Sequence, residues 1–581
     1  MSGFKMSGFK LKGFKLKGFK LKGFKMAEFK LTGFKRKGFI KSSTKQWMAG
    51  FMSLVLAAGM LSGCGNSSDT ASAGVSVAAD ASVDVKFSKP VNGAAENVKS
   101  LDGTPDITTN YSMQTSPRSD EYKEEDRQNQ GTYFRDYGTN PFKDTSEKPL
   151  STFSLDVDTA SYTIARKYIE SGSLPPKEAI RPEEFVNYFR RDYPLPSKDT
   201  FSIYTELAPS AFNRGCHILE VGVQGKDVAA SDIKPSALTF VIDVSGSMGI
   251  DNRLGLVKKS LKILVEQMGE NDKIGIVVYG TNGRKLLEPT SGEDEGQILS
   301  AIDRLEPEGS TNAAEGLILG YDMAYRNYNK NGNNRLILCT DGVANQGITG
   351  AEDILKMVEG YKSKGITLTT LGFGMDNFND IFLETLADKG DGNYAYIDTL
   401  EEAKKVFVDQ LAGTLEVIAK DTKAQIEFDK GSVESYRLIG YENRALQDKD
   451  FRNNTVDAGE VGAGHAVTAL YELKLKNSLE GRIGVVKLRY KSPDTGKVTE
   501  LSKTIDAAQV KDSFYNATPR FRFISMVAQF AEILKGSPWA SNTGLEDVCS
   551  ILEHDIKDLN WTNEDKGFVS LVRSAAELKS R

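Results

Sequence analysis

The stretch "ALTFVIDVSGSM", from Ala237 to Met248, decides what kind of fold this chain adopts. Its near-continuous apolar run is typical of a strand that is covered on both faces, as parallel strands of α/β sheets are. The run ends at Asp243, and Ser245 and Ser247 follow at alternate positions. Hydroxyl groups at such a place can form turns, act as nucleophiles or bind a metal, so the rest of the chain has to discriminate between these roles.

Strand and helix patterns alternate from this stretch to about residue 419. The segment 252–268 carries apolar residues at helical spacing, and the strand pattern "KIGIVVYG" follows it. The alternation continues through "RLILCTDG" and "ITLTTLGFG". It predicts an α/β fold with a central, doubly wound, mostly parallel sheet. Ligands of such sheets bind beyond the carboxyl ends of the strands, where Asp243 and Asp341 are both expected.

Five side chains with oxygen atoms are expected at this edge: Asp243, Ser245, Ser247, Thr311 of "EGSTN", and Asp341. None offers nitrogen or sulfur, and hard oxygen ligands suit Mg²⁺, Mn²⁺ or Ca²⁺. Only two of the five groups are carboxylates, so a metal held here remains electrophilic and favours a further anionic ligand. The pattern predicts a divalent metal site that an Asp or Glu carboxylate of a protein partner completes.

These five residues, in this order on this scaffold, resemble the metal-ion-dependent adhesion site of von Willebrand factor type A domains. The resemblance covers about Ala237 to Ala419, and no member of the residue set is missing. It implies that the two serines and Thr311 coordinate the ion, and that the two aspartates bond to it directly or through water. The flanking segments "FSLDVDTASYTIARKYI" and "AGEVGAGHAVTALYE" resemble a bacterial lipoprotein family that carries this domain at its centre and has a poorly defined function.

Other roles for the same residues fit the sequence less well. Asp243 and the serines could cap the following helix, and Thr311 and Asp341 could have similar local structural roles. A phosphotransferase of the Asp-x-Asp type needs a carboxylate at 245, where the chain has Ser. A serine hydrolase needs a Gly-x-Ser-x-Gly turn and a His partner, but all three histidines lie outside the α/β segment.

The amino-terminal part of the chain has the features of a targeting segment. Residues 1–45 carry 14 Lys and Arg against one Glu, whereas from Cys64 onward 60 Lys and Arg face 78 Asp and Glu. Eight pentads, three of which are "LKGFK", open the chain. They are interpreted as a cationic segment with aromatic membrane anchors. The alternatives are a basic leader region expanded by slippage, or an overlong reading frame whose true start is Met26 or later. The acidic body and the absence of a basic stripe argue against a nucleic-acid partner.

A short apolar run ends in "LSGC", which resembles the bacterial lipoprotein box. The resemblance implies that Cys64 is lipidated and becomes the mature amino terminus, on the extracytoplasmic face of a membrane. The alternative is an uncleaved anchor in which Cys64 is incidental. The four cysteines form no CxxC pair, which argues against a zinc or iron–sulfur site.

The patterns divide the chain into six expected segments. These are a signal peptide with a basic pentapeptide repeat (1–63), a lipidated, disordered tether (64–145), a small α+β domain (146–235), a von Willebrand factor A domain (236–420), a β-rich, sandwich-like module (421–510) and a helical region (511–581). Asp156 and Asp158 are possible ligands, but the polar side or end of a strand explains them better. His465 and Glu460 suggest a second metal site, against the simpler interpretation of a turn that leads into a strand.

Taken together, the sequence predicts an extracytoplasmic, membrane-anchored lipoprotein that binds a protein partner through a divalent metal and is not an enzyme. The alternative is an enzyme, or a subunit of an enzyme complex, whose chemistry lies in the carboxyl-terminal module. The first is favoured because no set of nucleophile and base emerges from the sequence.

Overall fold

A computed structural model of the chain describes residues 15–21, 24–30 and 132–581, apart from gaps at 156–157, 230, 343–350, 376–377, 411–412, 414, 478, 480 and 555–559. Cys64 and Asp156 lie outside the described residues. None of the helices in these residues combines the length and the hydropathy that a membrane crossing needs.

The described strands are, in chain order, β1 (Lys15–Leu21), β2 (Phe24–Lys30), β3 (Lys143–Asp144), β4 (Leu150–Ser154), β5 (Phe201–Pro209), β6 (Cys216–Gly225), β7 (Ser236–Asp243), β8 (Lys273–Tyr279), β9 (Gly283–Ser291), β10 (Asn333–Thr340), β11 (Thr367–Gly372), β12 (Tyr394–Tyr396), β13 (Val417–Phe428), β14 (Val433–Ile439), β15 (Gly459–Gly462), β16 (Ala466–Leu475), β17 (Arg482–Lys491) and β18 (Val498–Asp506).

The described α-helices are α1 (Ala160–Glu170), α2 (Pro182–Tyr188), α3 (Arg253–Val265), α4 (Glu295–Asp303), α5 (Ala313–Arg326), α6 (Ala351–Lys362), α7 (Asp380–Lys389), α8 (Leu400–Lys404), α9 (Pro519–Lys535), α10 (Leu545–His554) and α11 (Asn563–Ser580). Local sequence explains several of their ends. Pro182 and Pro519 stand in the first turn of α2 and α9, where a missing N–H costs nothing. Gly536 ends α9 in the left-handed conformation.

The two described segments of the pentad repeat pair with each other. β1 and β2 form an antiparallel hairpin with Leu21 opposite Phe24. The chain divides into two units, and this hairpin lies in the first of them, whereas the second comprises Pro117–Arg581. Where the repeat is described, it therefore forms strands. This agrees with its five-residue period, which cannot keep Phe on one face of a helix.

The central sheet has the strand order β12-β11-β10-β7-β8-β9. Its neighbouring strands are parallel except for the edge pair β8–β9, which is antiparallel. All eight residues of β7 are buried, because helices cover both faces of the sheet. The predicted doubly wound α/β fold is confirmed, and Asp243 ends its central strand.

The β-rich part is built from both flanks of the α/β domain. One sheet has the order β3-β14-β16-β6-β5, and a second contains β15-β13-β17-β18 with β4 on β13. β6 pairs along its length with β16, which follows about 240 residues later in the chain. The prediction of one domain at 146–235 and another module at 421–510 was therefore wrong. Each segment alone leaves strand edges unpaired, and pairing between the segments satisfies those edges.

The carboxyl-terminal helices are also shared with the amino-terminal flank. Phe521 and Phe530 of α9 and Phe568 of α11 lie in one core with Tyr162 of α1 and Phe185 of α2. The rings of Phe530 and Phe568 meet edge to face at 5.3 Å between centroids. The helical region predicted for 511–581 is confirmed, but it completes a core that α1 and α2 begin.

The predicted tether extends too far into the folded part. Residues 132–145 pack on the body: the Tyr133 amide donates to the Phe378 carbonyl at 2.9 Å, and the Asn140 side chain donates to the Gly440 carbonyl at 2.8 Å. Phe142 lies edge to face against Trp539. The sequence signal was a small number of aromatic residues in a polar segment, and their burial depends on surfaces that are distant in the chain.

One predicted helix is also wrong. The sequence suggests a single helix over 401–419, but α8 ends at Lys404, a π-helical turn follows over Lys405–Asp409, and β13 already begins at Val417. The pairing of β13 with β17 and β4 outweighs the helical pattern of its first residues. Buried ion pairs join this side of the α/β domain to the flanks, including Arg181 with Asp380 at 2.6 Å and Arg166 with Asp398 at 2.6 Å.

Candidate functional site

Asp243 is placed at the carboxyl edge of the sheet by β7, and its carboxylate is fully buried. Its Oδ1 accepts a hydrogen bond from the Ser245 amide at 2.8 Å, and its Oδ2 accepts one from the Thr340 hydroxyl at 2.9 Å. Thr340 is the last residue of β10, the strand beside β7. Two neighbouring strand ends thus hold this carboxylate in one orientation.

The two serines lie at the start of the loop that follows. Ser245 is buried, Ser247 is partly exposed, and their hydroxyl oxygens are 3.0 Å apart. Ser245 precedes a 3₁₀ turn over Gly246–Asn252, and its side chain makes no capping hydrogen bond to that turn. The cap that the sequence left open as an alternative role for this serine is therefore not made.

Thr311 reaches the same edge through a second loop. The Gly246 amide donates to the Gly309 carbonyl at 3.1 Å, and the Glu308 amide donates to the Val244 carbonyl. These bonds lock the loop that carries Thr311 against the serine loop, and the Thr311 side chain is buried. Asn312, the next residue, caps α5 by accepting from the Glu315 amide.

Asp341 follows β10 and is fully buried beside this edge. Its Oδ2 accepts a hydrogen bond from Nη1 of Arg253 at 2.8 Å, whereas its Oδ1 has no hydrogen-bond partner. A buried carboxylate oxygen without a partner is costly unless something else binds it. Arg253, the first residue of α3, was missed by the sequence reasoning, because nothing in the spacing says that its side chain turns back towards the sheet.

The surroundings of Asp243 favour its protonated form. Burial, together with the charge of Asp341, raises the pKa of Asp243 to about 6. Burial and the nearby carboxylates also raise the pKa of Tyr279, which ends the neighbouring strand β8. Arg253 offsets one of the two negative charges, so a further cation is favourable at this place.

The five predicted residues thus meet a simple chemical test for a divalent cation. The donor set consists of oxygen only, the loops that carry it are tied to each other, and the buried Asp341 Oδ1 lacks a partner. Mg²⁺ or a similar hard ion prefers oxygen ligands and would supply the partner that this carboxylate oxygen lacks.

A second group of carboxylates has different surroundings. Asp391, Asp457 and Glu460 offer oxygen atoms within 4.8 Å of one another, where the α/β domain meets the β-rich part. Two lysines already balance it: Lys420 lies 2.9 Å from Asp391, and Lys362 contacts Asp391 and lies 2.7 Å from Asp457. A metal at this place would have to displace these ammonium groups.

The remaining predicted candidates have structural surroundings. The carboxylate of Asp158 accepts from the Tyr394 amide at 2.9 Å and from Arg444 at 2.8 Å. His465 stands directly before β16, both its ring nitrogens are buried without a hydrogen-bond partner, and burial lowers its pKa to about 4. His465 is not part of the carboxylate group that includes Glu460.

Comparison with family models agrees with this architecture. Residues 237–410 match the model of the von Willebrand factor type A domain. Residues 128–220 match a model described as von Willebrand factor, and residues 413–480 and 474–578 match a model described as the carboxyl-terminal part of the uncharacterized protein YfbK. The matches cover the α/β domain and both flanks.

Two curated proteins match this chain, one over most of its length and the other over about half. The uncharacterized protein YfbK of Escherichia coli is 40% identical over 442 residues, which are 71% of this chain and 76% of that protein. The uncharacterized protein sll0103 of Synechocystis is 26% identical over 292 residues, which are 49% of this chain and 68% of that protein. Among solved structures, a von Willebrand factor type A protein from Catenulispora acidiphila has a TM-score of 0.39 at 14% identity and covers 68% of this chain and 89% of its own.

Proposed function

The chain belongs to the family of the uncharacterized Escherichia coli protein YfbK and carries a von Willebrand factor type A domain, and on this premise we propose that it binds a protein partner through a divalent metal at the carboxyl edge of its central sheet. We place this binding at the extracytoplasmic face of a membrane, to which a lipid on Cys64 attaches the protein. The role is one of adhesion or assembly and not of catalysis.

The observation that carries the proposal is the carboxylate oxygen of Asp341 that lacks a hydrogen-bond partner. Its Oδ1 is buried without a hydrogen-bond partner, and Asp243 is buried beside it. Asp243, Ser245, Ser247, Thr311 and Asp341 are the residues that would hold the ion. A bound divalent cation supplies a positive centre to which a carboxylate of the partner can coordinate.

The protein's own residues orient this site. Thr340 and the Ser245 amide fix Asp243, and Arg253 fixes one oxygen of Asp341. Both carboxylates lie at the same edge of the sheet and are fully buried, so that bulk water is largely excluded from them. Beside it, Ile250 is 48% exposed on the serine loop and offers the partner an apolar contact next to the charge.

A binding role fits the chemistry of these residues better than a catalytic one. The Ser245 and Ser247 hydroxyls contact each other, and no histidine occurs within residues 237–410. An activated serine needs a base within hydrogen-bond reach. The same residues need no base if they act as neutral metal ligands.

Capture of partners tests the proposal. The full chain, displayed on cells or purified in detergent, is cross-linked once with Mg²⁺ and once with EDTA. We expect partners in Mg²⁺ that are absent in EDTA and absent for Asp243→Ala. Asp251→Asn is the matched control, because it removes an exposed carboxylate from the same loop. Identical partners in all four samples would refute metal-dependent binding.

The anchor is tested separately. Palmitate labelling of cells that express the chain should depend on Cys64, and Cys64→Ser should abolish it. Cys549→Ser is the control, because it removes a partly exposed thiol from a different part of the chain. Equal labelling of the Cys64→Ser variant would exclude the lipoprotein interpretation without affecting the metal site.

A further inference from the structure

A cavity of about 210 Å³ opens in the β-rich part, away from the residues that would hold the metal. Its walls come from both strands of the β13–β17 pair and from the loops beside them. The cationic lining residues are Lys423, Arg489 and Lys491, and the anionic one is Asp421. The cavity could hold several water molecules or a small anionic group.

A β-bulge creates this cavity. Lys420 pairs with Lys491 and Lys423 pairs with Arg489, so β13 has one residue more than β17 between these two pairs. Asp421, within the bulge, has a φ of 52°. Bulges redirect side chains and interrupt pairing, and they are common beside functional sites. Here the bulge directs three cations from adjacent positions to one space.

Lys423 is the cation that most needs a counter-charge. It is 2% exposed, and its ammonium donates to the Asn453 carbonyl at 2.7 Å and to the Asp450 carbonyl at 3.3 Å. Within the part of the chain that the structure describes, no carboxylate oxygen lies within 4.0 Å of this ammonium. Burial lowers the pKa of Lys423, and the nearby Asp421 opposes this shift only in part. Carbonyl groups satisfy two of its N–H bonds but do not neutralise its charge.

The other two cations also keep binding capacity. Arg489 uses Nη2 for the Asn454 side chain at 2.5 Å and for the Arg452 carbonyl at 3.5 Å, and its Nε and Nη1 groups have no hydrogen-bond partner among the described residues. Lys491 is 46% exposed and lies 3.6 Å from Asp421. Among the residues that line the cavity, three cations face one carboxylate, which is an excess of two positive charges in the lining. Like charges this close repel one another unless an anion lies between them.

We propose that this cavity is a phosphate-binding site, which takes the phosphate group of a small molecule or of a lipid headgroup. A phosphate monoester carries about −1.5 to −2 charges at pH 7, which matches the excess of two positive charges. The fork of an arginine fits phosphate oxygens in a bidentate manner, and lysines act as point charges beside it. The site stands independently of the proposed metal site, because no residue is shared.

The test uses the purified full chain in a non-phosphate detergent, with EDTA present and ionic strength held constant. Inorganic phosphate is titrated by calorimetry, and so are dihexanoyl phosphatidylglycerol and dihexanoyl phosphatidylcholine. The variants are Arg489→Gln and Lys491→Gln. Lys497→Gln is the matched control: it removes one positive charge from the same turn region but does not line the cavity.

We expect saturable binding with a dissociation constant on the order of 1 mM or below, weakened about tenfold or more by Arg489→Gln and changed less than about twofold by Lys497→Gln. Tighter binding of phosphatidylglycerol than of phosphate assigns the site to a lipid headgroup, and the reverse order assigns it to a soluble phosphate ester. Equal melting temperatures without ligand show that Arg489→Gln folds. If that variant fails to fold, Lys491→Gln, at an exposed position, decides instead.

Two results would overturn the proposal. One is no saturable binding of inorganic phosphate or phosphatidylglycerol up to roughly 10 mM, a concentration well above that expected for a built site. The other is equal weakening by Lys497→Gln and by the two lining variants, since that would show diffuse attraction to surface charge.

Discussion

Two groups of carboxylates in this protein are similar in composition and opposite in setting. At the carboxyl edge of the central sheet, Asp243 and Asp341 are fully buried, and Arg253 of α3 forms an ion pair with Asp341. At the contact between the α/β domain and the β-rich part, Asp391, Asp457 and Glu460 lie close together with two lysines among them. The first group has a carboxylate oxygen without a partner and hydroxyl groups beside it. The second has ammonium groups where an ion would lie.

The number of carboxylates therefore does not identify a metal site. What matters is whether the protein's own cations already lie among the carboxylates, and whether further oxygen donors can complete a coordination shell. By this criterion the sheet edge is the better candidate for a cation, whereas the acidic group at the domain contact forms an internal network of ion pairs between two parts of the fold.

The largest expected effect separates the two groups directly. Asp341→Asn should weaken Mn²⁺ or Mg²⁺ binding at least about 100-fold, because it removes a charged ligand from a site where even supporting residues contribute 10- to 100-fold. Glu460→Gln, the matched removal of one carboxylate charge from the other group, should leave the affinity unchanged. Calorimetric titration of both variants measures this, and a loss of affinity in Glu460→Gln alone would reverse the assignment.

The cations of the two groups should differ in their effect on stability. Arg253, which is 3% exposed, leaves a buried charge when it is removed, so Arg253→Met should lower the free energy of unfolding by about 3 kcal/mol without metal. Lys420, which is 34% exposed, is screened by solvent, so Lys420→Met should cost only roughly 1 kcal/mol. Urea unfolding measures both.

Added Mg²⁺ then sharpens this result. It should restore part of the loss in Arg253→Met, because the ion replaces the missing positive charge beside Asp341. It should restore nothing in Lys420→Met. Equal recovery in both variants would mean that the ion acts elsewhere.

The smallest effect concerns pH on the β-rich side. Burial lowers the pKa of His465 to about 4, below its unfolded value, so the unfolded chain binds a proton that the folded chain does not. Stability from the neutral His465 is complete above pH 6.5 and is lost as pH falls towards 4, by up to about 1.4 kcal/mol per pH unit. His465→Leu should flatten this acid loss, whereas His554→Asn, at an exposed position, should not. Thermal melts between pH 7 and 4.5 distinguish the two.

The order of strands and helices in the α/β domain was predictable, because strand and helix patterns alternate regularly along the chain. The apolar run before Asp243 and the helical spacing of 252–268 each report a local periodicity. The same rule brought Asp243 and Asp341 to one edge, because parallel strands end on the same side of a sheet. Arg253 escaped it, since the direction of a long side chain at a helix start depends on what it meets, here Asp341 and the close backbone of Gly374.

The flanks were misjudged for a different reason. The segments 216–225 and 466–475 each have the pattern of a strand, but nothing in the local sequence indicates that β6 and β16 pair across an inserted domain. The prediction of a helix over 401–419 was wrong because the pairing of β13 with neighbouring strands outweighs the helical periodicity of its first residues. Tether residues 132–145 were misassigned because Phe134 and Phe142 find their buried contacts only on distant segments.

By itself, the sequence determined the class of the central domain and the residue types at its carboxyl edge, because side-chain periodicity and the direction of parallel strands are properties of consecutive residues. Only the tertiary structure decided which strands complete the flanking sheets, which cations neutralise which carboxylates, and where three lysine and arginine side chains converge on one cavity. These features depend on pairs of residues that are tens to hundreds of positions apart in the sequence. Such pairs contribute free energy only when folding buries them and brings their charges together.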